Sequence, residues 1–220
     1  MRLFYVVHMI LVFLLLSMLG GSLAEESMQE VDSLIAGIER RYVGTGFSAR
    51  FDQESTLKAM DITDTASGGV WFRRPEMMRW EYETPERQVI VSNGVTLWIY
   101  RPEDNQVMLG DASTYFGDGR GASFLSDIRL VKTKFHVELL ESDSPGYYSV
   151  KLTPREKSHD LASLQLTIDK KTFDIVQVVT ANVYGDETRI RFNTFQYNQD
   201  LEASLFFFDI PKGVDVIRLD

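Results

Sequence analysis

The stretch GGVWFRRPEMMRWEYETP, residues 68–85, decides how this chain is read. Side chains along a strand point alternately to its two faces. On that period Val70, Phe72 and Arg74 share a face. Beyond Pro75, Met78, Trp80 and Tyr82 share a face, with Arg79, Glu81 and Glu83 opposite. The pattern predicts two strands meeting at a proline-bearing turn, with an arginine in line with apolar side chains. A guanidinium is permanently charged and carries five donors. Beside an apolar face it must be paired, or its desolvation is severe. Two roles for Arg74 stay open on the residues alone. It is either a structural arginine turned outward at Pro75 and paired with Glu76 or Glu81, or an internal fastening.

The same period extends in both directions. Upstream, Phe47, Ala49, Phe51 and Gln53 share a face. Downstream, Gln88–Ser92 and Val95–Tyr100 flank Asn93-Gly94, a strong hairpin signal. Val107–Leu109, Phe135–Leu140, Tyr147–Thr153, Ser163–Asp169, Phe173–Thr180, Thr188–Tyr197, Phe206–Ile210 and Val214–Ile217 are further candidates. About ten or eleven strands spaced for antiparallel neighbours predict a mainly β (α+β) fold. A single large curved sheet or partial barrel is expected, with a two-sheet sandwich as the alternative. Several strands are apolar on both faces: Val95, Leu97 and Ile99 oppose Trp98 and Tyr100, while Phe173, Ile175 and Val179 oppose Val176 and Val178. Either a filled core or an enclosed apolar cavity satisfies this pattern, and a cavity would take an apolar ligand.

Helical signals are few. Ser27-Met28-Gln29-Glu30 is a capping box. Met28, Val31, Leu34, Ile35 and Ile38 follow at helical spacing, predicting one amphipathic helix to about residue 42 that ends before Gly44 and Gly46. Residues 110–126 are glycine-rich and break the alternation. Within them and just beyond, Ala122–Ile128 suits a short helix with Phe124, Leu125 and Ile128 inward.

Residues 1–24 read as a cleaved secretory signal peptide: Arg2, an apolar run from Tyr5 to Leu19, then Ser22-Leu23-Ala24 as a small-residue cleavage site. An uncleaved anchor is the alternative. Residues 25–220 then form one domain of ordinary size. The 220-residue chain carries 23 basic and 32 acidic side chains, a net charge of −9, and loss of Arg2 makes it more negative. Such a surface disfavours nucleic acid and anionic membrane as direct partners. With no cysteine, disulfides and lipidation at an N-terminal cysteine are both excluded. His136 and His159 lie too far apart for zinc-ligand spacing. There is no G-x-S-x-G elbow, and Gly117–Gly121 lacks the frame of a phosphate loop. A non-enzymatic protein without metal or cofactor is expected. A lipid esterase built from distant residues is the weaker alternative.

Four segments, in order behind the signal peptide, resemble the LolA family of periplasmic outer-membrane lipoprotein carriers. They are FSARFDQ at 47–53, GGVWFRRPEMMRWEYETP at 68–85, VSNGVTLWIYRPEDNQV at 91–107 and FFFDIPKGVDVI at 206–217. The resemblance implies an unclosed antiparallel half-barrel with a helical lid over a hydrophobic cavity. It implies a monomeric carrier that takes acylated lipoproteins from an inner-membrane ABC transporter and hands them to an outer-membrane receptor. Arg74 aligns with the arginine before proline in the family's motif, which implies a latch holding the lid of the empty carrier. Face and motif together put Phe47, Phe51, Val70, Phe72, Met78, Trp80 and Ile90 against acyl chains, with Leu34, Ile38, Phe124 and Leu125 contributed by lid helices. The sequence departs from the family at Met78, where an aromatic is frequent, and at GASFLSDI (121–128), which lacks a proline. A lipid- or lipoprotein-binding relative of the same fold, without shuttle activity, is the alternative function.

Overall fold

The computed structural model describes residues 29–42, 44, 46–74, 76–116, 125, 128, 130–156 and 159–219. The expected signal peptide, the capping serine and Phe124 lie outside these residues. The chain divides into two compact units, residues 1–37 and 38–220. Within the first, residues 29–37 are helical, and Leu34 and Ile35 are buried. The second begins with helical residues 38–42, so that helix α1 covers 29–42, and it holds all the strands.

Those strands are β1 (Gly46–Leu57), β2 (Ile62–Arg73), β3 (Met77–Thr84), β4 (Gln88–Asn93), β5 (Thr96–Arg101) and β6 (Gln106–Asp111), then β7 (Phe135–Leu140), β8 (Tyr147–Pro154), β9 (Ser163–Asp169), β10 (Ile175–Ala181), β11 (Glu187–Tyr197) and β12 (Asp215–Arg218). Short helices α2 (Ala112–Phe116) and α3 (Leu130–Lys134) lie between β6 and β7. All twelve strands form one sheet in the order β12-β6-β5-β4-β3-β2-β1-β11-β10-β9-β8-β7. The sheet is open, with β12 and β7 at its edges. Two meanders, β1–β6 and β7–β11, join where β1 pairs with β11. Every pairing is antiparallel except β12 with β6. The open antiparallel sheet is the expected one, slightly larger than the strand pattern suggested.

Local chemistry sets the turns. Asn93 Oδ1 accepts the amides of Val95 and Thr96 at 2.9 and 2.8 Å, and Gly94 takes φ 89°. That is the Asn-Gly hairpin, since an Asn side chain can close its own turn and Gly tolerates positive φ. Asp111 Oδ1 similarly accepts the amides of Ser113 and Thr114 and so opens α2. These bonds, led by that from the Ser113 side chain, lower the carboxyl pKa of Asp111.

Two expectations change. Phe206–Ile210 is not a strand: Ala203–Phe206 is a 3₁₀ turn, closed by the Phe207 amide on the Ser204 carbonyl, and unpaired extended chain follows. In β10 a register shift between Ile175 and Gln177 inverts the alternation. Ile175 and Val178, assigned to opposite faces, are therefore both fully buried.

Candidate apolar binding face

On the inner face of the first meander, β1, β2 and β3 bring together the side chains that their alternation aligned. Val70 pairs with Trp80 and Phe72 with Met78 across β2–β3, while Phe47 pairs with Phe72 across β1–β2. Phe47 stacks on Phe72 with ring centroids 4.8 Å apart. Phe51 meets the edges of Trp80 at 4.9 Å and Tyr82 at 5.0 Å, and Trp80 reaches Phe192 of β11 at 6.0 Å. Offset and edge-on contacts of this kind add to the burial of the rings themselves. Phe51 lies against Gly68, where a Cβ would stand 2.9 Å from its Cε1 and 1.8 Å from the Glu81 carbonyl oxygen. Only glycine lets the Phe51 ring of β1 and the β3 backbone at Glu81 come this close to β2 at that point. Burial raises the Tyr82 phenol to about 12, and its hydroxyl donates to Gln53 Oε1 at 3.0 Å.

Ile38, Phe47, Phe51, Val70, Phe72, Met78, Trp80 and Leu125 are all buried, as is Leu34 in the first unit. Ile90 is half-buried and packs against the cluster of Leu97, Ile99 and Ala112, as do Met108 and Leu219. The side chains of Phe47, Phe51, Phe72 and Trp80 form one connected ring cluster. Arg74 stands in the turn just past β2 rather than within the strand, half-buried, with its Nη2 atom fully buried. Glu76 follows in the left-handed region at φ 55°.

The outer face is apolar in β4–β6, and the segment whose alternation predicts a strand covers it. Val91 and Val107 are fully buried there, as is Phe206. The 3₁₀ turn Ala203–Phe206 packs on β3 and β4. Phe207 contacts Trp98 at 6.4 Å and Phe208 contacts Tyr100 at 5.2 Å. Arg79 Nη1 donates to the Leu205 carbonyl at 3.1 Å while its Nε bonds Glu81, which fastens this strap to β3. A cavity of about 580 Å³ lies on the polar side of the second meander, among Asp52, Glu141, Tyr147, Gln165, Gln177 and Arg191. None of the predicted acyl-contact residues lines it, and its polar walls do not suit an acyl chain.

A second cluster escaped the sequence reading. At the end of α1, Arg41 Nε bonds Asp174 Oδ1, and the guanidinium lies 3.6 Å over the Tyr197 ring. The Tyr197 hydroxyl donates to the same carboxylate oxygen at 2.7 Å, and the Tyr42 hydroxyl accepts the Ile175 amide at 2.9 Å. Burial raises the Tyr42 phenol to about 12 and the Tyr197 phenol further. The signal available was Arg41-Tyr42 just ahead of the helix-ending Gly44, but its partners lie more than a hundred residues away in sequence and no local pattern marks them.

An open antiparallel sheet with a ring-lined inner face defines a half-barrel protein built around apolar packing. The chain belongs to the LolA family: residues 44–209 match the family described as outer membrane lipoprotein carrier protein LolA. It is 32% identical over 174 residues to an outer-membrane lipoprotein carrier protein of Chromohalobacter salexigens, covering 79% of this chain and 81% of the relative. It is 33% identical over 175 residues to one of Methylibium petroleiphilum, covering 80% and 83%. The crystal structure of an uncharacterized conserved protein from Thermus thermophilus shares the fold, with a TM-score of 0.57 at 16% identity over 86% of this chain and 99% of that one. Among the described residues, no helix is long and apolar enough to cross a membrane.

Proposed function

We propose that this protein is a periplasmic carrier of acylated lipoproteins, collecting them from an inner-membrane ABC transporter and delivering them to an outer-membrane receptor. The family match over residues 44–209 carries this reading, and the chemistry of the inner face supports it. Each CH₂ exposed to water costs about 0.8 kcal/mol. Three chains of roughly fifteen carbons therefore cost on the order of 30 kcal/mol unshielded. Lipoprotein traffic between membranes requires a protein that covers most of that surface and still releases it. Transfer of this kind breaks no bond and needs no cofactor in the carrier; the transporter supplies the energy.

The rings of this face close on one another, and on this reading that closed arrangement is what cargo displaces. Acyl chains enter by parting Phe47, Phe72, Trp80 and Phe51 and replacing their mutual contacts with contacts of equal polarity. Such an exchange is close to neutral per unit area, which suits a carrier that must also let go. Arg74 acts as the latch of the empty state. Its half-buried place in the turn beyond β2 supports that role. A guanidinium there favours closure through charged hydrogen bonds that cargo must displace.

The test is a release assay. Membrane vesicles bearing a lipoprotein and its transporter receive ATP with and without residues 25–220. Soluble lipoprotein appearing one-to-one with the protein is expected. No release from vesicles with an active transporter would leave the lipid-binding alternative. With receptor-bearing acceptor vesicles added to the assay, Arg74→Leu should fold normally but keep its cargo. Loss of one charged hydrogen bond, about 1.5–3 kcal/mol, corresponds to roughly tenfold or more slower delivery. Delivery at the unmodified rate would refute the latch.

A further inference from the structure

Two hairpin tips meet at the end of the sheet remote from Arg74. Strands β1 and β11 pair as far as Thr56 with Glu187, so the β1–β2 and β10–β11 turns leave neighbouring strands side by side. The Lys58 amide donates to Asp186 Oδ1 at 3.0 Å, joining the two turns. In the first, Asp61 at φ 54° donates its amide to the Lys58 carbonyl and closes a 3₁₀ turn. In the second, Asn182 Oδ1 accepts the amides of Tyr184 and Asp186, each at 2.9 Å, and Asn182 Nδ2 donates to Asp186 Oδ2. The backbones are held by named bonds, yet the apolar side chains face water. Tyr184 is 74% exposed, Met60 66% and Val183 52%, and Leu57 and Ile62 are exposed beside them.

Single exposed apolar residues need no explanation, but a group of them on a fixed scaffold marks an interaction site. Tyrosine and methionine are enriched at the centres of protein interfaces, where pre-ordering lowers the entropic cost of binding. The surroundings choose the partner. Asp61, Asp64, Asp186 and Glu187 flank the tips against Lys58 and Arg189, which pairs with Glu187, in a chain of net charge −9. That acidity repels an anionic bilayer and complements a basic rim. We infer that the double tip docks into a partner protein presenting an apolar pocket ringed by Lys or Arg. This rests on the carrier reading, under which the partner is a membrane-bound protein that gives or receives the cargo. The twelve residues of β2 separate the tips from Arg74 by roughly 40 Å, so docking there leaves the latch turn uncovered.

The experiment measures binding of the full-length mature protein to the purified transporter and the purified receptor, each in nanodiscs, at low and high ionic strength. The variant Met60→Ser with Tyr184→Ser changes only exposed side chains, and its melting temperature is followed as a control. Weakening by about tenfold or more toward at least one of the two, together with salt-sensitive binding of the unmodified protein, is expected. Unchanged affinity of the variant for both overturns the docking surface while the carrier reading stands. Binding of neither by the unmodified protein overturns both. Variant-sensitive binding to protein-free phosphatidylethanolamine–phosphatidylglycerol vesicles, or a variant-sensitive dimer, assigns the tips to a bilayer or to a second copy and overturns the proposal.

Discussion

Both faces of the β1–β6 meander carry buried apolar side chains, on the inner face across β1–β5 and on the outer face in β4–β6, yet they are covered in different ways. On the inner face, Phe47, Phe51, Phe72 and Trp80 cover one another, because the sheet brings its own strands' rings into contact. On the outer face, Val91, Trp98, Tyr100 and Val107 are covered by a strap of chain from beyond β11, with Phe206, Phe207 and Phe208 as its anchors. The inner cover is built from neighbouring strands, and on the proposed carrier reading it is exchanged for acyl chains. The outer cover is covalently part of the chain and cannot be carried away. Alternation of apolar residues thus locates two buried faces, but only the partner on each face decides whether it is a binding surface or permanent core.

The inner face should be the more costly to damage. Phe51 touches Trp80, Tyr82 and Gly68, and it is almost completely buried. Phe51→Ala is expected to lower the unfolding free energy by about 3–5 kcal/mol, measured by urea unfolding. A loss below about 1 kcal/mol would mean that the ring cluster is loose already, as an unfilled cavity would be. Binding of an apolar environment-sensitive dye to that variant would separate a slack core from a collapsed one.

The dryness of the inner face has a separate readout in Tyr82. Its phenol is raised from 10 to about 12 by burial. Below pH 10 the folded and unfolded states both keep the proton, so stability is unaffected. As pH rises further, the unfolded chain ionises while the folded chain does not, and stability falls until the folded phenol also ionises. The expected loss at Tyr82 is about 2–3 kcal/mol by pH 12. Tyr42, raised to about 12 by its own burial, adds in the same direction. Absorbance titration should show tyrosines ionising late, together with unfolding, and Tyr82→Phe should reduce the alkaline loss. Ionisation of every tyrosine near 10 in the folded protein would show that water reaches this face.

Much of the inner face was legible because its causes are local. Period two put Val70, Phe72, Met78 and Trp80 on one side, and Asn93-Gly94 fixed a hairpin through its own side chain. The strap was misread for a physical reason: FFFDI (206–210) alternates as a strand does, and alternation reports where side chains point, not whether the backbone finds a hydrogen-bonding neighbour. Ile175 and Val178 were separated because one unpaired residue inverts the phase of a whole strand. The Arg41–Asp174–Tyr197 cluster stayed hidden because its members meet only after β1 pairs with β11. Arg74 was picked out by its motif, but its strand ends one residue earlier, so its neighbours are set by the turn and not by the strand's alternation.

The outer cover offers the subtler test, because a strap can lift without the sheet unfolding. Phe206 is as buried as Phe51, and in a cooperative core its truncation would cost a similar amount. The strap's contacts include Arg79 to the Leu205 carbonyl, Asn105 Nδ2 to the Gly213 carbonyl, two aromatic pairs and the four-residue β12 ladder. Local opening limits the measurable cost of any one of them to the free energy of docking the segment. Phe206→Ala should therefore lower global stability by about 1–3 kcal/mol, less than Phe51→Ala. It should also speed hydrogen exchange and proteolytic cleavage across residues 199–219 while β1–β3 stay protected. If exchange rises equally in β1–β3, the strap and the inner face are one cooperative unit. Opening the inner face to cargo would then loosen the outer cover as well, and the contrast between an exchangeable and a permanent cover would fail.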